Sequence, residues 1–113
     1  MSTTNYQWVL IRTYRNTSDR SRREPIRASP VAGQGFPPTM HVSCSIAKRK
    51  ESGPGRTFIM ECQPVSPQDA AEYLYIHPNR DWFPVNEDEA ARFLQGEPVV
   101  VDGLRFKRQS APR

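Results

Sequence analysis

Two cysteines and two histidines are the residues of this sequence that could bind a metal ion or act in nucleophilic chemistry: Cys44, Cys62, His41 and His77. Zinc sites favour paired ligands on tight turns, such as two cysteines separated by two residues. His41 and Cys44 are three residues apart in a stretch that alternates like a strand, which would point them to opposite faces. Both cysteines fall on apolar stripes, where a free cysteine packs as a small hydrophobic residue. The sequence therefore predicts core cysteines, with no metal and no cofactor.

The sequence also lacks the motifs of established catalytic chemistries. A reactive cysteine needs an exposed, electropositive niche, and strands that alternate cysteine with Met, Val and Ile do not provide one. The glycines at 33, 35, 53 and 55 lie among prolines, which have no N–H group to offer a phosphate. The acidic run 87–89 is expected at the N-terminus of a helix. We therefore expect a protein that is not an enzyme, and we infer no small-molecule substrate.

The segment 77–83 carries the densest group of chemically distinctive side chains. It combines a titratable ring, an Arg–Asp pair and two large aromatic rings: His77, Arg80, Asp81, Trp82 and Phe83. If the aromatic rings fold back under the helices, the segment is a hydrophobic plug. If they are exposed, they form the centre of a protein-binding surface, where Trp and Arg are enriched. The sequence leaves both interpretations open.

Basic residues are concentrated at the two ends of the chain. The net charge of +4 divides into +4 over 1–47, +3 over 48–56, −7 over 57–104 and +4 over 105–113. Thirteen arginines stand against three lysines, and the planar guanidinium suits phosphate binding and stacking on bases. Such polarity favours a polyanionic partner, although the segments of opposite charge would also neutralise each other in the folded chain.

Strand-like residues 6–15 interleave aromatic and basic side chains, which is the composition of a stacking platform for single-stranded nucleic acid. The candidate residues for contacting nucleic acid are Arg20, Arg22, Arg23, Arg27, Lys48, Arg49 and Lys50, with Tyr14 as an accessory. Stacking would require Tyr6, Trp8 and Tyr14 to be exposed. The opposing interpretation is that the charges only keep mobile loops solvated while Trp8 and Tyr14 belong to the core.

Two functional hypotheses follow from these features. The first is a small binding module that contacts a polyanion, in particular nucleic acid, through arginine-rich mobile segments. The alternative is an adaptor or inhibitor that docks on a larger protein through the Trp82/Phe83 loop and the acidic helices. The adaptor would expose Trp82 and Phe83, whereas the nucleic-acid module would expose the aromatic residues of the first strand.

The elements that must position these residues follow from periodicity and turn signals. Residues 6–15 predict a central strand, because both faces are apolar at its middle. Residues 16–38 predict a long disordered loop, since they contain four prolines, two glycines and no period. Residues 39–47 and 57–63 alternate and predict a hairpin with a mobile basic tip at 48–56.

The second half of the chain predicts helices and a tight turn. Ser66 and Pro67 are typical of a helix start, and Asn86 followed by three acids and later by Gly96 marks a second helix. The Asp-Gly pair at 102–103 predicts a tight hairpin or a kinked strand, and 108–113 predict a frayed tail.

These elements predict one α+β domain over 1–113, with an antiparallel sheet of about four or five strands and two short helices on one face. No apolar run is long enough to cross a membrane. The first fifteen residues have no basic lead and no small-residue cleavage site, so we expect no secretory signal, reduced cysteines and a cytoplasmic protein. The oligomeric state does not follow from the sequence.

Overall fold

The computed structural model describes residues 6–16 and 25–108. Within these ranges the chain forms eight strands and two helices. They are β1 (Gln7–Arg15), β2 (Ile26–Pro30), β3 (Val42–Ser43), α1 (Ile46–Ser52), β4 (Thr57–Val65), β5 (Tyr73–Tyr75), β6 (Phe83–Pro84), α2 (Glu87–Leu94), β7 (Val99–Val101) and β8 (Leu104–Phe106).

Six of the strands form a mixed sheet, and the remaining two form a separate hairpin. Five of its strands follow the order β2-β1-β4-β5-β3. The sixth strand, β6, pairs with residues 58–59 of β4, which pair with β1 on their other side. All pairs in the sheet are antiparallel except β3 with β5. β2 and β3 stand at opposite ends of this order and still contact each other, so the sheet curls toward a barrel. The prediction of a simple antiparallel sheet is therefore wrong in topology, while a small, sheet-rich domain with two helices is confirmed.

The core has two parts because β1 and β4 are buried on both faces. Val9 and Ile11 lie with alternate residues of β4, including Met60 and Cys62, in the first cluster. Leu10 lies in the second cluster, which is covered by α2 and the β7–β8 hairpin. The second cluster consists of Leu10, Ile59, Ala90, Phe93, Val99, Val101 and Phe106. A strand that alternates between two cores must be central, as its sequence predicted.

The region expected to be a disordered loop contains a strand. β2 pairs with β1 from Ile26 opposite Arg15 to Pro30 opposite Ile11, and it buries Ile26 and Ala28. The prediction of disorder over 16–38 is wrong for this part, because the alternation of apolar and polar residues over 26–30 is a strand pattern only five residues long. Residues 17–24 lie outside the described ranges.

The expected hairpin with a mobile tip is also wrong. The segment 48–56 is largely helical: the Ser45 hydroxyl accepts a hydrogen bond from Lys48 N (3.2 Å), and Gly53 ends α1 with φ of 77° while its N–H donates to Arg49 O. Between these two caps stand good helix formers, three of them basic. Val42 pairs with Leu74 rather than with β4.

The first predicted helix, beginning at Ser66, is a turn followed by β5. Leu74 lies fully buried between β3 and β4, where its N–H donates to His41 O, and tertiary pairing overrides the local capping signal. The Ser66 hydroxyl bonds to the Glu72 carboxylate instead of capping a helix.

Two predictions for the last third of the chain, the second helix and the hairpin at Asp102-Gly103, are confirmed. Asn86 caps α2 in a reciprocal pair with Glu89, and Gly96 follows the helix with φ of 88°. β7 and β8 are joined through Asp102 and Gly103, both with positive φ, as a two-residue hairpin turn requires. Arg108 was expected in a frayed tail, but its guanidinium donates to Leu94 O (2.7 Å) and Gly33 O (3.0 Å).

Neither helix in the described part of the chain is long and apolar enough to span a membrane.

Candidate functional site

Within the described ranges, one end of the sheet gathers a group of exposed basic residues around a buried threonine. The side chain of Thr13 is fully buried; its hydroxyl donates to Gly53 O (2.7 Å) and accepts from Arg56 N (3.0 Å). The backbone of Thr13 bonds to Arg56 O and Gly55 N as well. These bonds hold the end of α1 and the start of β4 against the end of β1. We call this region the basic end.

The exposed basic and aromatic side chains of the basic end are Arg12, Tyr14, Arg15, Lys50 and Arg56. Tyr14 is 42% exposed and pairs across the strands with Arg27, which is half-buried. Arg12 is on the same face of β1, and its Nε donates to the Thr57 hydroxyl (3.0 Å). The base of the segment that joins β1 to β2 is closed by a bond from Asn16 N to Pro25 O.

The three consecutive basic residues of α1 have three different environments. Lys48 is half-buried, and its ammonium donates to Arg80 O (3.0 Å) near the Trp82 ring. Arg49 is buried, and Lys50 is exposed. Of the predicted phosphate-contacting group, the structure thus brings Tyr14, Arg27 and Lys50 to the basic end. Arg20, Arg22 and Arg23 lie outside the described residues.

The aromatic platform predicted on β1 does not form. Trp8 packs edge-on against Phe106 at 4.7 Å and against Phe83 at 6.3 Å, so it belongs to the second core cluster. Tyr6 is half-buried beneath the Arg80 guanidinium (5.4 Å). Among these three aromatic residues, only Tyr14 is exposed enough to offer a ring face.

The loop 77–83 places its two aromatic rings against the core. Trp82 packs on Phe58 (5.3 Å), and Phe83 packs on Phe106 (4.8 Å). Both are half-buried, which favours the hydrophobic-plug interpretation. The polar residues of the loop stay at the surface: His77 accepts a bond from Asn79 N, Arg80 pairs with Glu61 (3.3 Å), and Asp81 is exposed.

A shallow cleft of about 430 Å³ lies beside this loop, lined by residues of α1, the loop and the β7–β8 turn, among them Lys48, Asp81, Trp82 and Asp102. A smaller one of about 160 Å³ lies on the other side of Asp81, next to Trp8 and Glu61. Both are open and mixed in charge.

Comparison with protein-family models, with curated proteins and with solved structures finds no match.

The two cysteines are placed as core residues. Cys62 is fully buried, and Cys44 is half-buried against the first cluster. Burial raises the pKa of both thiols; near Cys44 the positive charge of Arg49 opposes this effect without cancelling it. No group of three His, Cys, Asp or Glu in the described ranges could hold a metal ion.

We expect alkylation to separate these two thiols. In the native protein Cys44 should react with iodoacetamide more slowly than free cysteine, because burial keeps it protonated, and Cys62 should react only on unfolding. Mass spectrometry of the labelled chain measures both reaction rates. Cys44→Ser is the control, because Cys62 is then the single thiol of the chain. Equal rates for the two thiols in the native protein would contradict the assigned burial.

The sequence missed two features of this region. Strand alternation predicts Arg12 beside Tyr14 on one face of β1, but it gave no role in binding to Arg15 and Arg56. Arg49 was expected at a mobile tip; the caps at Ser45 and Gly53 were the signal that it lies on a helix.

Proposed function

We propose that this protein is a small, non-enzymatic binding module that contacts single-stranded nucleic acid through the basic end. The observation that carries the proposal is the exposed ring of Tyr14, with Arg12 on the same face of β1 and Arg27 opposite it on the paired strand. An exposed aromatic ring among guanidinium groups offers stacking for a base and ion pairs for its phosphates.

The distribution of charge supports this assignment. Within residues 6–16 and 25–108, ion pairs join Arg80 to Glu61 and Arg92 to Asp88. Glu61 lies opposite Trp8, near the start of β1 and away from the basic end. Arg12, Arg15 and Arg56 are exposed and take part in neither of these pairs. Their charges are thus available to phosphates.

Binding of this kind carries little sequence information. Phosphate contacts fix position without reading bases, and stacking accepts every base because each has a π face. We therefore expect affinity that depends on salt and on strand flexibility, with weak preference among sequences of equal length.

Fluorescence anisotropy with a labelled single-stranded oligonucleotide, measured across a salt series, tests the proposal. Replacing Arg12, Arg15 and Arg56 together by Gln should reduce the slope of log K against log salt by about 2, since each phosphate contact to a single strand contributes about 0.7. Tyr14→Ala should weaken binding by about tenfold, and Tyr14→Phe should bind like wild type because the ring is retained.

The matched control removes two positive charges elsewhere, by replacing Arg80 and Arg92 with Gln. If this control lowers affinity and slope as much per charge as the triple variant does, attraction by the whole molecule explains binding and the basic end is not the site. Absence of measurable binding at physiological salt would refute the proposal itself.

A protein-docking role through the Trp82/Phe83 loop is the second candidate. One observation favours it: the cleft of about 430 Å³ beside Trp82 is rimmed by both charges, from Lys48 and Asp81. The half-burial of both aromatic rings weighs against it, because interface anchors are usually aromatic side chains that the partner, not the chain itself, buries.

A further inference from the structure

Arg49 is a buried cation without a counter-charge among the described residues. Arg49 is only 7% exposed to solvent, and its Nε has no hydrogen-bond partner in that part of the chain. One other nitrogen, Nη1, donates to the Cys44 sulfur at 3.7 Å. That thiol is a weak acceptor, and its pKa is raised by burial, so it does not supply a negative charge.

The surroundings of Arg49 make the charge more costly. None of the ion pairs within residues 6–16 and 25–108 includes it. Two further basic groups are near: His41 has its pKa lowered by desolvation and then by the positive charges of Arg49 and Arg27. Arg27 lies on β2, which contacts α1, and His41 immediately precedes β3, which contacts β2. A buried arginine in such a place needs an anion, because its desolvation is otherwise uncompensated.

We propose that Arg49 anchors a binding site for a single phosphate-type oxyanion, with Arg27 and the exposed ring of His41 at its edge. The guanidinium fork matches the paired oxygens of a phosphate better than it matches a spherical anion such as chloride. The anion would have two sources, a free small phosphate or the terminal phosphate of a nucleic acid. Arg27 also borders the basic end, opposite Tyr14, but Arg49 is not one of the residues proposed to contact the oligonucleotide, and phosphate binding by Arg49 does not depend on oligonucleotide binding.

Titration of the full chain with inorganic phosphate at constant ionic strength, followed by ¹⁵N NMR, tests this inference. We expect a saturable shift of the Arg49 Nε–H signal and of backbone signals near His41, and a melting temperature higher in phosphate than in chloride. Arg49→Met keeps an unbranched chain of similar length without the charge. It should bind phosphate at least about tenfold more weakly, and its melting temperature should not differ between the two salts.

Lys50→Met is the matched control, because it removes the neighbouring exposed charge of the same helix. It should bind phosphate like wild type. In chloride, Arg49→Met should melt no lower than wild type, since it removes an uncompensated buried charge. A lower melting temperature of Arg49→Met in both salts, with unchanged phosphate binding, would assign Arg49 a purely structural role and overturn the proposal. So would a wild-type chain that shows neither a saturable shift nor stabilisation by phosphate.

A second arm distinguishes the two sources of the anion. An oligonucleotide with a 5′-phosphate should bind more tightly than its 5′-hydroxyl counterpart, and Arg49→Met should abolish the difference, if the site receives a nucleic-acid end. Equal binding of the two oligonucleotides, together with saturable binding of inorganic phosphate, assigns the site to a free small anion. The salt series with the basic-end variants reports separately on the proposed function.

Discussion

Replacing Thr13 by Val should lower the free energy of unfolding by about 2–4 kcal/mol. The two residues have nearly the same shape, so the change removes the hydroxyl and little else. Without it, Gly53 O loses its hydroxyl donor and Arg56 N loses its acceptor, both next to a side chain that is itself fully buried. Urea denaturation followed by circular dichroism measures the loss, with an unchanged m-value as the sign that only stability has changed.

Thr57→Val is the matched control for this variant. The Thr57 hydroxyl accepts one bond from Arg12 Nε at the surface, where water replaces the lost partner. We expect a change within about 0.5 kcal/mol. A similar loss in both variants would mean that the hydroxyl of Thr13 is not what holds α1 and β4 to β1.

The same residue connects the fold to the proposed site. Thr13 points to the interior, while its neighbours Arg12 and Tyr14 point to the exposed face of β1. The hydrogen bonds that Thr13 makes in the interior therefore fix the position of Arg12 and Tyr14 on the other face of β1. In oligonucleotide binding we accordingly regard Thr13 as a positioning residue that makes no contact itself.

What the sequence predicted correctly was local. The two-sided apolar pattern of β1, the Asn86 cap and acidic first turn of α2 and the Asp-Gly turn each depend on neighbours within a few residues, and each formed as expected. β5 shows the limit of this approach. Its residues follow a helix-start signal, but Leu74 is held by strands contributed by residues 42–43 and 63–65. Single-sequence patterns do not report such distant pairing.

The candidate site was predicted less well for a related reason. A mobile tip would expose Lys48, Arg49 and Lys50 alike. A helix rotates successive side chains by about 100°, so these residues point toward the 77–83 loop, the interior and the solvent. The sequence showed where these basic residues are concentrated along the chain. The fold determines which of their side chains a phosphate can reach.

Gln34→Glu should lower the free energy of unfolding by about 3 kcal/mol at neutral pH. The Gln34 amide continues the ladder between β1 and β2 where β2 has ended: its Oε1 accepts from Leu10 N (2.7 Å), and its Nε2 donates to Leu10 O (3.0 Å) and Val31 O (2.7 Å). A carboxylate of the same shape keeps the first bond but sets a negative oxygen against two carbonyl oxygens. Because only the protonated form can donate there, the pKa of the introduced carboxyl group should be raised in the folded state above the ordinary glutamate value of about 4.3.

The sign of the pH dependence follows from that shift. A folded-state pKa above the unfolded one means that the variant loses stability as pH rises through the folded pKa and regains part of it on acidification. The difference in unfolding free energy between wild type and Gln34→Glu should therefore shrink as the pH falls from 7 toward about 4. Gln34→Leu is the control: it removes all three bonds without adding a charge, so its deficit should be nearly independent of pH. If the difference in unfolding free energy between wild type and Gln34→Glu were equally independent of pH, the Gln34 amide would not be donating to the two carbonyl oxygens. Another interaction would then have to hold residues 31–36 against β1.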